Sequence, residues 1–298
     1  MDLQIQGLSK TYANGVKALD NISLTIPQGM FGLLGPNGAG KSSLMRTIAT
    51  LQEPDQGSIT LGDIDVLKQK EEVRRLLGYL PQEFGLYPNL SAETILDHFA
   101  VLKGIDSSRA RREQVHYLLN RTNLWDNRKK HVGGFSGGMK QRLGIAIALL
   151  GDPRLIIVDE PTAGLDPTER NRFLNLLSEL GENIVIILST HIVEDVRELC
   201  SQMAIINKGH VALSGSPEQV ISGVRGKIWK RPSEKSEIEE IQNRFEVIST
   251  RMVSGKPLIR IYSDENPEYG FLPVEPDLED VYFYQISRLN QAWAQGVA

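Results

Sequence analysis

The chain has 298 residues, 41% of them hydrophobic and 23% charged, with a net charge of −4. That length holds one large domain, or a large one with a smaller companion. The slightly acidic balance argues against a broad nucleic-acid-binding surface. The single cysteine, Cys200, rules out an internal disulfide and reads as a buried structural thiol in a reducing compartment.

In chain order, Met1-Asp2-Leu3-Gln4-Ile5 alternates like a strand and lacks the basic start and apolar stretch of a signal peptide. No apolar run approaches the length of a membrane-spanning helix, and no repeat or low-complexity tract is found. Thr11 to Gly15 is a turn carrying Tyr12, and Ile22 to Ile26 alternates as a half-buried strand ended by Pro27. From the residues alone Tyr12 is an ordinary turn aromatic, or a platform on which a purine can stack.

Met30 to Leu34 reads as a buried strand and Ser43 to Leu51 as a helix. Between them lies Gly35-Pro36-Asn37-Gly38-Ala39-Gly40-Lys41-Ser42, which fits the phosphate-binding loop pattern in the strand–loop–helix context it requires. Glycines let the backbone turn tightly and point N–H groups inward as an anion nest. The helix aims its positive end at the same place. Lys41 reaches the β- and γ-phosphates, and the Ser42 hydroxyl sits on Mg²⁺.

Glu53 to Gly57 is a strong turn, and Val73 to Leu80 leads to Pro81-Gln82-Glu83. Gln82 alone reads as a solvated loop residue. Residues 91–131 read as helical, with Ser91 as a cap and Gly104 as a stop. Phe135-Ser136-Gly137-Gly138-Met139-Lys140 opens a further helix, capped by Ser136. Two glycines behind a serine at a helix start repeat the phosphate-binding logic, or simply make a flexible start.

Leu155 to Val158 is a buried parallel-type strand that ends in Asp159-Glu160. Carboxylates at that end of a strand sit where open α/β sheets bind ligands. There Asp159 would hold Mg²⁺ through its shell, and Glu160 could orient and deprotonate a water. Ala163 to Pro167 is a turn in which Asp166 caps the next helix. Ile184 to Leu188 is another buried strand, followed by His191, which can bond a γ-phosphate or cap the next helix. From about Gly223 the character changes to a small α/β appendix with no catalytic constellation.

The ordered set of phosphate loop, Gln82, Ser136-Gly137-Gly138, Asp159-Glu160, Asp166 and His191 resembles the ATP-binding subunits of ABC transporters over residues 1 to about 222. The resemblance implies an α/β phosphate-loop NTPase with an antiparallel β subdomain and a helical subdomain at about 83–150. Residues 1–222 would form this ATP-binding domain and 223–298 an accessory domain. It further implies ATP and Mg²⁺ as ligands, with Ser43 joining the loop residues that hold the nucleotide and Tyr12 stacking on adenine. Gln82 would touch Mg²⁺ and the attacking water, Glu160 would be the catalytic glutamate, and His191 the switch histidine. Ser136, Gly137 and Gly138 would close on the ATP of a second copy of the chain, with Asp166 at the dimer contact. The implied partner is an integral membrane permease that holds the chain on the cytoplasmic face of the membrane, without nucleic acid.

The family's usual signature is Leu-Ser-Gly-Gly-Gln, whereas this chain has Phe135 and Met139. Phe-Ser-Gly-Gly-Met-Lys-Gln-Arg and the late Leu278 to Tyr282 are similar to exporter-type subunits. The alternative is a soluble ATPase of the same family acting on ribosomes or DNA, or serving as a regulatory module. Its relatives carry two such domains or a long coiled coil, and neither is seen here.

Overall fold

Alternating burial sets up the first layer. The strands β1 (Leu3–Thr11) and β2 (Lys17–Ile26) bury Leu3, Ile5, Leu8, Leu19, Ile22, Leu24 and Ile26 on one face. A period of two is what a half-buried antiparallel strand requires. The next strand, β3 (Gly29–Leu34), has no exposed position. Helix α1 (Lys41–Ile48), strands β4 (Gln56–Leu61) and β5 (Ile64–Asp65), helix α2 (Lys70–Leu76) and strand β6 (Leu77–Leu80) follow. An antiparallel sheet forms in the order β2-β1-β4-β5.

The helical stretch comprises α3 (Ala92–Leu102), α4 (Ser108–Arg121) and α5 (Gly137–Ala148). Ser91, Ser107 and Ser136 each accept a backbone N–H as caps. The chain then runs through β7 (Leu155–Asp159), α6 (Pro167–Leu180), β8 (Val185–Thr190), α7 (Val193–Leu199), β9 (Gln202–Asn207), β10 (His210–Gly215) and α8 (Pro217–Ser222). Five parallel strands and one antiparallel edge strand give the order β10-β9-β3-β8-β7-β6.

Both faces of this second sheet are buried. Phe31, Leu33, Leu155, Ile157, Val185 and Ile187 join a core with α1 and the antiparallel sheet. Their neighbours Met30, Leu34, Ile156, Val158, Ile186 and Leu188 join a second core with α3 to α7. That explains why β3, β7 and β8 read as unbroken apolar runs.

The last segment contains β11 (Ile228–Pro232), α9 (Ile238–Arg244), β12 (Glu246–Val253), β13 (Lys256–Tyr262), β14 (Leu272–Pro273) and α10 (Leu278–Ala294). Its antiparallel sheet has the order β12-β13-β11-β14. Two of its elements, β11 and α9, are rich in charged residues. The terminal helix α10 leans back on α7, α8 and β10. Leu278, Val281 and Tyr282 enter the same core as Val196, Cys200 and Met203, so the apolar interior runs unbroken across residue 222. Burial pushes the Cys200 thiol up to about 12, and the nearby Asp195 charge acts the same way, which keeps it an inert apolar side chain.

The computed structural model describes residues 1–82, 84–162, 164–180 and 184–294, with 291–294 described by backbone alone. Glu83 and Ala163, both named above, lie outside these. Among the described residues no helix is long and apolar enough to cross a membrane.

Leu278 is fully buried at the start of α10. Leu278→Ala is expected to destabilise the protein by about 2–5 kcal/mol. A urea titration followed by tryptophan fluorescence checks this. An unchanged midpoint would show that α10 contributes nothing to the shared core.

Candidate functional site

One edge of the parallel sheet collects the polar residues. Because β3, β6, β7 and β8 all run the same way, their carboxyl ends lie side by side, where open α/β sheets bind ligands. Strand β3 leads into Gly35–Ser42, β6 into Gln82, β7 into Glu160 and β8 into His191.

The loop after β3 is packed too tightly for side chains at two of its glycines. A Cβ on Gly35 would sit 2.2 Å from the Ile206 carbonyl oxygen. One on Gly40, where φ is +108°, would sit 2.4 Å from that of Ala18. Helix α1 then begins without a side-chain cap and without an acid in its first turn. Its first N–H groups and its positive end are therefore left for an anion. Lys41 is only 6% exposed. Its Nζ donates to the carbonyl oxygens of Gly35 at 2.7 Å and Pro36 at 3.2 Å. Burial pulls the Lys41 pKa below its ordinary value, against the Glu160 and Asp159 charges that hold it up. A desolvated ammonium on two neutral carbonyls gains by exchanging them for charged phosphate oxygens.

Asp159, the last residue of β7, is buried. Burial raises its carboxyl above the usual range and the Glu160 charge adds to this, while the hydroxyls of Ser189 and Ser42 and the Lys41 ammonium pull it down. A carboxylate and a hydroxyl facing each other, with the Gln82 amide on the next strand end, form a hard oxygen donor set. Among the described residues no group of three His, Cys, Asp or Glu side chains could hold a metal alone. A cation here must share its shell with phosphate oxygens, which is how Mg²⁺ is ordinarily held. The residues fit that ion.

Glu160 adopts φ +45°, a left-handed conformation that costs a non-glycine residue about 1–3 kcal/mol. Its N–H donates to the Ser189 carbonyl at 2.8 Å, which fixes the turn to β8. Gln82 Nε2 donates to its Oε2 at 3.1 Å, and His191 Nδ1 lies 3.2 Å from its Oε1. The Glu160 side chain is 12% exposed and that of His191 52%. One carboxylate is thus held between an amide and an imidazole from two other loops, at the floor of a cleft of about 390 Å³.

Tyr12 lines this cleft together with Asn37, Lys41, Ser42 and Ser43. Its hydroxyl bonds Ser43 Oγ at 3.0 Å and donates to Gln52 Oε1 at 3.1 Å. Ser136, Gly137 and Gly138 do not line the cleft. Ser136 is exposed and caps α5 through Met139 N–H at 3.2 Å, and α5 leans on α6 through Arg142 and Glu169 at 3.5 Å. Asp166 caps α6, accepting the Glu169 N–H at 2.9 Å, and is likewise outside the cleft. Helix α6 begins at Pro167, directly after this cap, which satisfies its first turn.

Sequence reasoning missed Asp195. It is 0% exposed, accepts from Thr162 Oγ1 at 2.9 Å and Arg170 Nε at 2.9 Å, and also bonds Arg170 Nη2. It ties the segment after Glu160 to α7, the helix that starts two residues after His191. No spacing in the sequence signals it, since its partners stand 33 and 25 residues away.

A phosphate loop, a buried metal-type carboxylate and a held glutamate on one sheet edge define a phosphate-loop nucleoside triphosphatase. Comparison with known proteins narrows the class. A family model described as ABC transporter matches residues 19–163. The ABC transporter ATP-binding protein NatA of Bacillus subtilis is 40% identical over 213 residues, covering 70% of this chain and 86% of NatA. The daunorubicin/doxorubicin resistance ATP-binding protein DrrA of Streptomyces peucetius is 32% identical over 267 residues, covering 89% of this chain and 78% of DrrA. The methionine import ATP-binding protein MetN of Histophilus somni is 35% identical over 233 residues, covering 74% and 66%. The dimeric post-hydrolysis structure of the ATP-binding cassette MJ0796 with ADP and Pi superposes with a TM-score of 0.65 at 27% identity, covering 72% of this chain and 98% of that one. The chain belongs to the ATP-binding subunits of ABC transporters, and its fold is theirs.

Two outcomes follow from the geometry. Gly35→Ala should abolish ATP binding, measured by fluorescent nucleotide titration, because the added methyl meets backbone at 2.2 Å. Asp195→Ala leaves buried donors unpaired and should cost about 1–3 kcal/mol, read as a lower melting temperature.

Proposed function

We propose that this chain hydrolyses ATP with Mg²⁺ at the interface of a head-to-tail pair of copies, and that opening and closing of the pair drives export through a separate membrane permease. The observation that carries this reading is Glu160. It is held between Gln82 and His191 beside the phosphate loop, where a general base for an attacking water belongs. Gly35–Ser42 and Ser43 hold the phosphates, and Tyr12 supports the base. Ser42, Asp159 and Gln82 hold Mg²⁺, which would neutralise charge developing on the phosphate oxygens. His191 keeps Glu160 in place and offers a donor toward the terminal phosphate.

The placement of Ser136 to Gly138 supports the pairing of two copies. Ser136 and Gly137 are exposed, with Gly138 buried behind them, and none of the three lines its own cleft. An uncovered helix start of this kind suits the nucleotide of a neighbour. Asp166 is exposed beside Leu165, whose side chain lies next to Gly137, and would meet that neighbour.

Export is favoured by the reach of the DrrA match, which covers 89% of the chain and so extends well past residue 222, whereas the MetN match covers 74%. Exposed Tyr87 and Leu90 supply an apolar surface for the permease near the Gln82 loop. This attachment would place the subunit at the cytoplasmic face of the membrane. Residues 1–222 act as the ATPase domain and 223–298 as an accessory domain that braces or regulates the pair.

Glu160→Gln should lower turnover by about 10²–10⁴-fold while ATP binding and ATP-dependent dimerisation persist. Steady-state ATPase assays with size-exclusion chromatography check this, and undiminished turnover would sink the mechanism. A tagged full-length chain should also retrieve a multi-spanning membrane protein from detergent-solubilised membranes. Recovery of ribosomal or DNA-bound proteins alone would instead indicate a soluble ATPase of the same family.

A further inference from the structure

The Tyr12 hydroxyl is anchored through one amide that no motif includes. Helix α1 ends where Thr50 takes φ +59° and the Leu51 N–H reaches back to the Arg46 carbonyl at 2.9 Å. That reversal is pinned from outside, because Arg74 donates from Nε to Thr50 Oγ1 at 2.8 Å and from Nη2 to its carbonyl at 3.2 Å. The chain therefore doubles back, and half-buried Gln52 lies along the flank of the helix it has just left.

Every polar atom of the Gln52 side chain is used there. Nε2 donates to the Ser43 carbonyl at 2.8 Å and to Thr47 Oγ1 at 2.9 Å. Thr47 Oγ1 in turn donates to the same Ser43 carbonyl at 2.8 Å. This leaves Oε1 fixed in direction, and it accepts from the Tyr12 hydroxyl at 3.1 Å. The amide orientation is set by the network, since two acceptors face one end and a phenol the other. Tyr12 is 36% exposed and comes from the turn between β1 and β2, a different layer of the fold. Its ring has no aromatic partner among the described residues, so the hydroxyl is what holds it over the phosphate-loop helix.

We infer that Gln52 is a positioning residue for nucleotide binding, holding the Tyr12 ring at the height above α1 at which a purine can stack on it. The inference rests on the reading of Tyr12 as the base platform. Ser43 Oγ shares the same phenol at 3.0 Å. A nucleotide that engages Ser43 leaves Gln52 as the anchor that keeps the ring from swinging away. Gln52 is not among the residues that line the cleft, so its loss should weaken binding of the base and leave the chemistry alone.

The test is a mutant cycle on the full chain, reading KM and kcat for ATP and, separately, inhibition by inorganic tripolyphosphate, which has no base. Tyr12→Ala should raise KM about tenfold. Gln52→Leu, close in shape but without the amide, should raise KM about threefold with kcat unchanged. The double variant should be no worse than Tyr12→Ala alone, and tripolyphosphate should inhibit all four proteins equally. An unchanged KM for Gln52→Leu, an additive double variant, or weakened tripolyphosphate inhibition would each overturn the role of Gln52, the last two by showing that it merely props up the loop. An unchanged KM for Tyr12→Ala would remove the platform itself and the inference with it, while a normal Tyr12 effect beside a silent Gln52 would remove only the inference.

Discussion

The rest of the molecule depends on a sheet that must be covered on both faces. Along β3, β7 and β8 consecutive side chains go alternately to two separate apolar cores. A polar group anywhere inside those strands would be stranded without water. Polar side chains can therefore leave the sheet only where strands stop, and parallel strands stop on the same side. The phosphate loop, Gln82, Asp159 with Glu160, and His191 are gathered by this rule and by nothing local to any of them. Asp159 shows how narrow the margin is. It is the last residue of its strand, still buried, and its carboxyl is raised by that burial.

What the sheet edge gathers, backbone geometry aims. Glu160 holds a left-handed conformation because β8 accepts its N–H. The strained turn sends its carboxylate toward Gln82 and His191 rather than along the strand. Below it, Asp195 joins Thr162 and Arg170, so the segments carrying Glu160 and His191 share one buried ionic knot. Removing either partner of such a knot leaves a charge or donor in a place water cannot serve. The same chain presents Ser136–Gly138 away from its own cleft. That exposure away from the cleft is what supports the proposed pairing of two copies.

Much of this was legible in the residues themselves. The phosphate loop announces itself by pattern, and the apolar runs before Gln82, Asp159 and His191 announce buried strands because two-sided burial leaves no alternation to confuse with anything else. Gly104 and the serine caps marked helix limits for stereochemical reasons that hold in any fold. What stayed hidden depended on distance in sequence. Asp195 looks like one more acid in a first helical turn, and its partners are set by how α6 crosses α7. Gln52 looks like a solvent residue after a helix, and its use follows from a reversal at Thr50 that a threonine does not advertise. The strand β11 and helix α9 were masked by charge, since Lys230 pairs inside the sheet and Arg231 is held by Glu237, which composition registers only as polarity.

The way α10 is seated bears on how such subunits diverge. Its Leu278, Val281 and Tyr282 fill the side of α7 opposite the ionic knot, in one continuous interior with Val196 and Met203. The tail is thus no detachable module. Exchanging residues 223–298 for those of another subunit would bare part of the helix that begins two residues after His191, unless the incoming helix matched its contour. Lineages are free to vary the outer surface of β12 to β14, while the inner face of α10 must change in step with α7. Inheritance of the tail is tied to inheritance of the ATP-binding part by this shared packing.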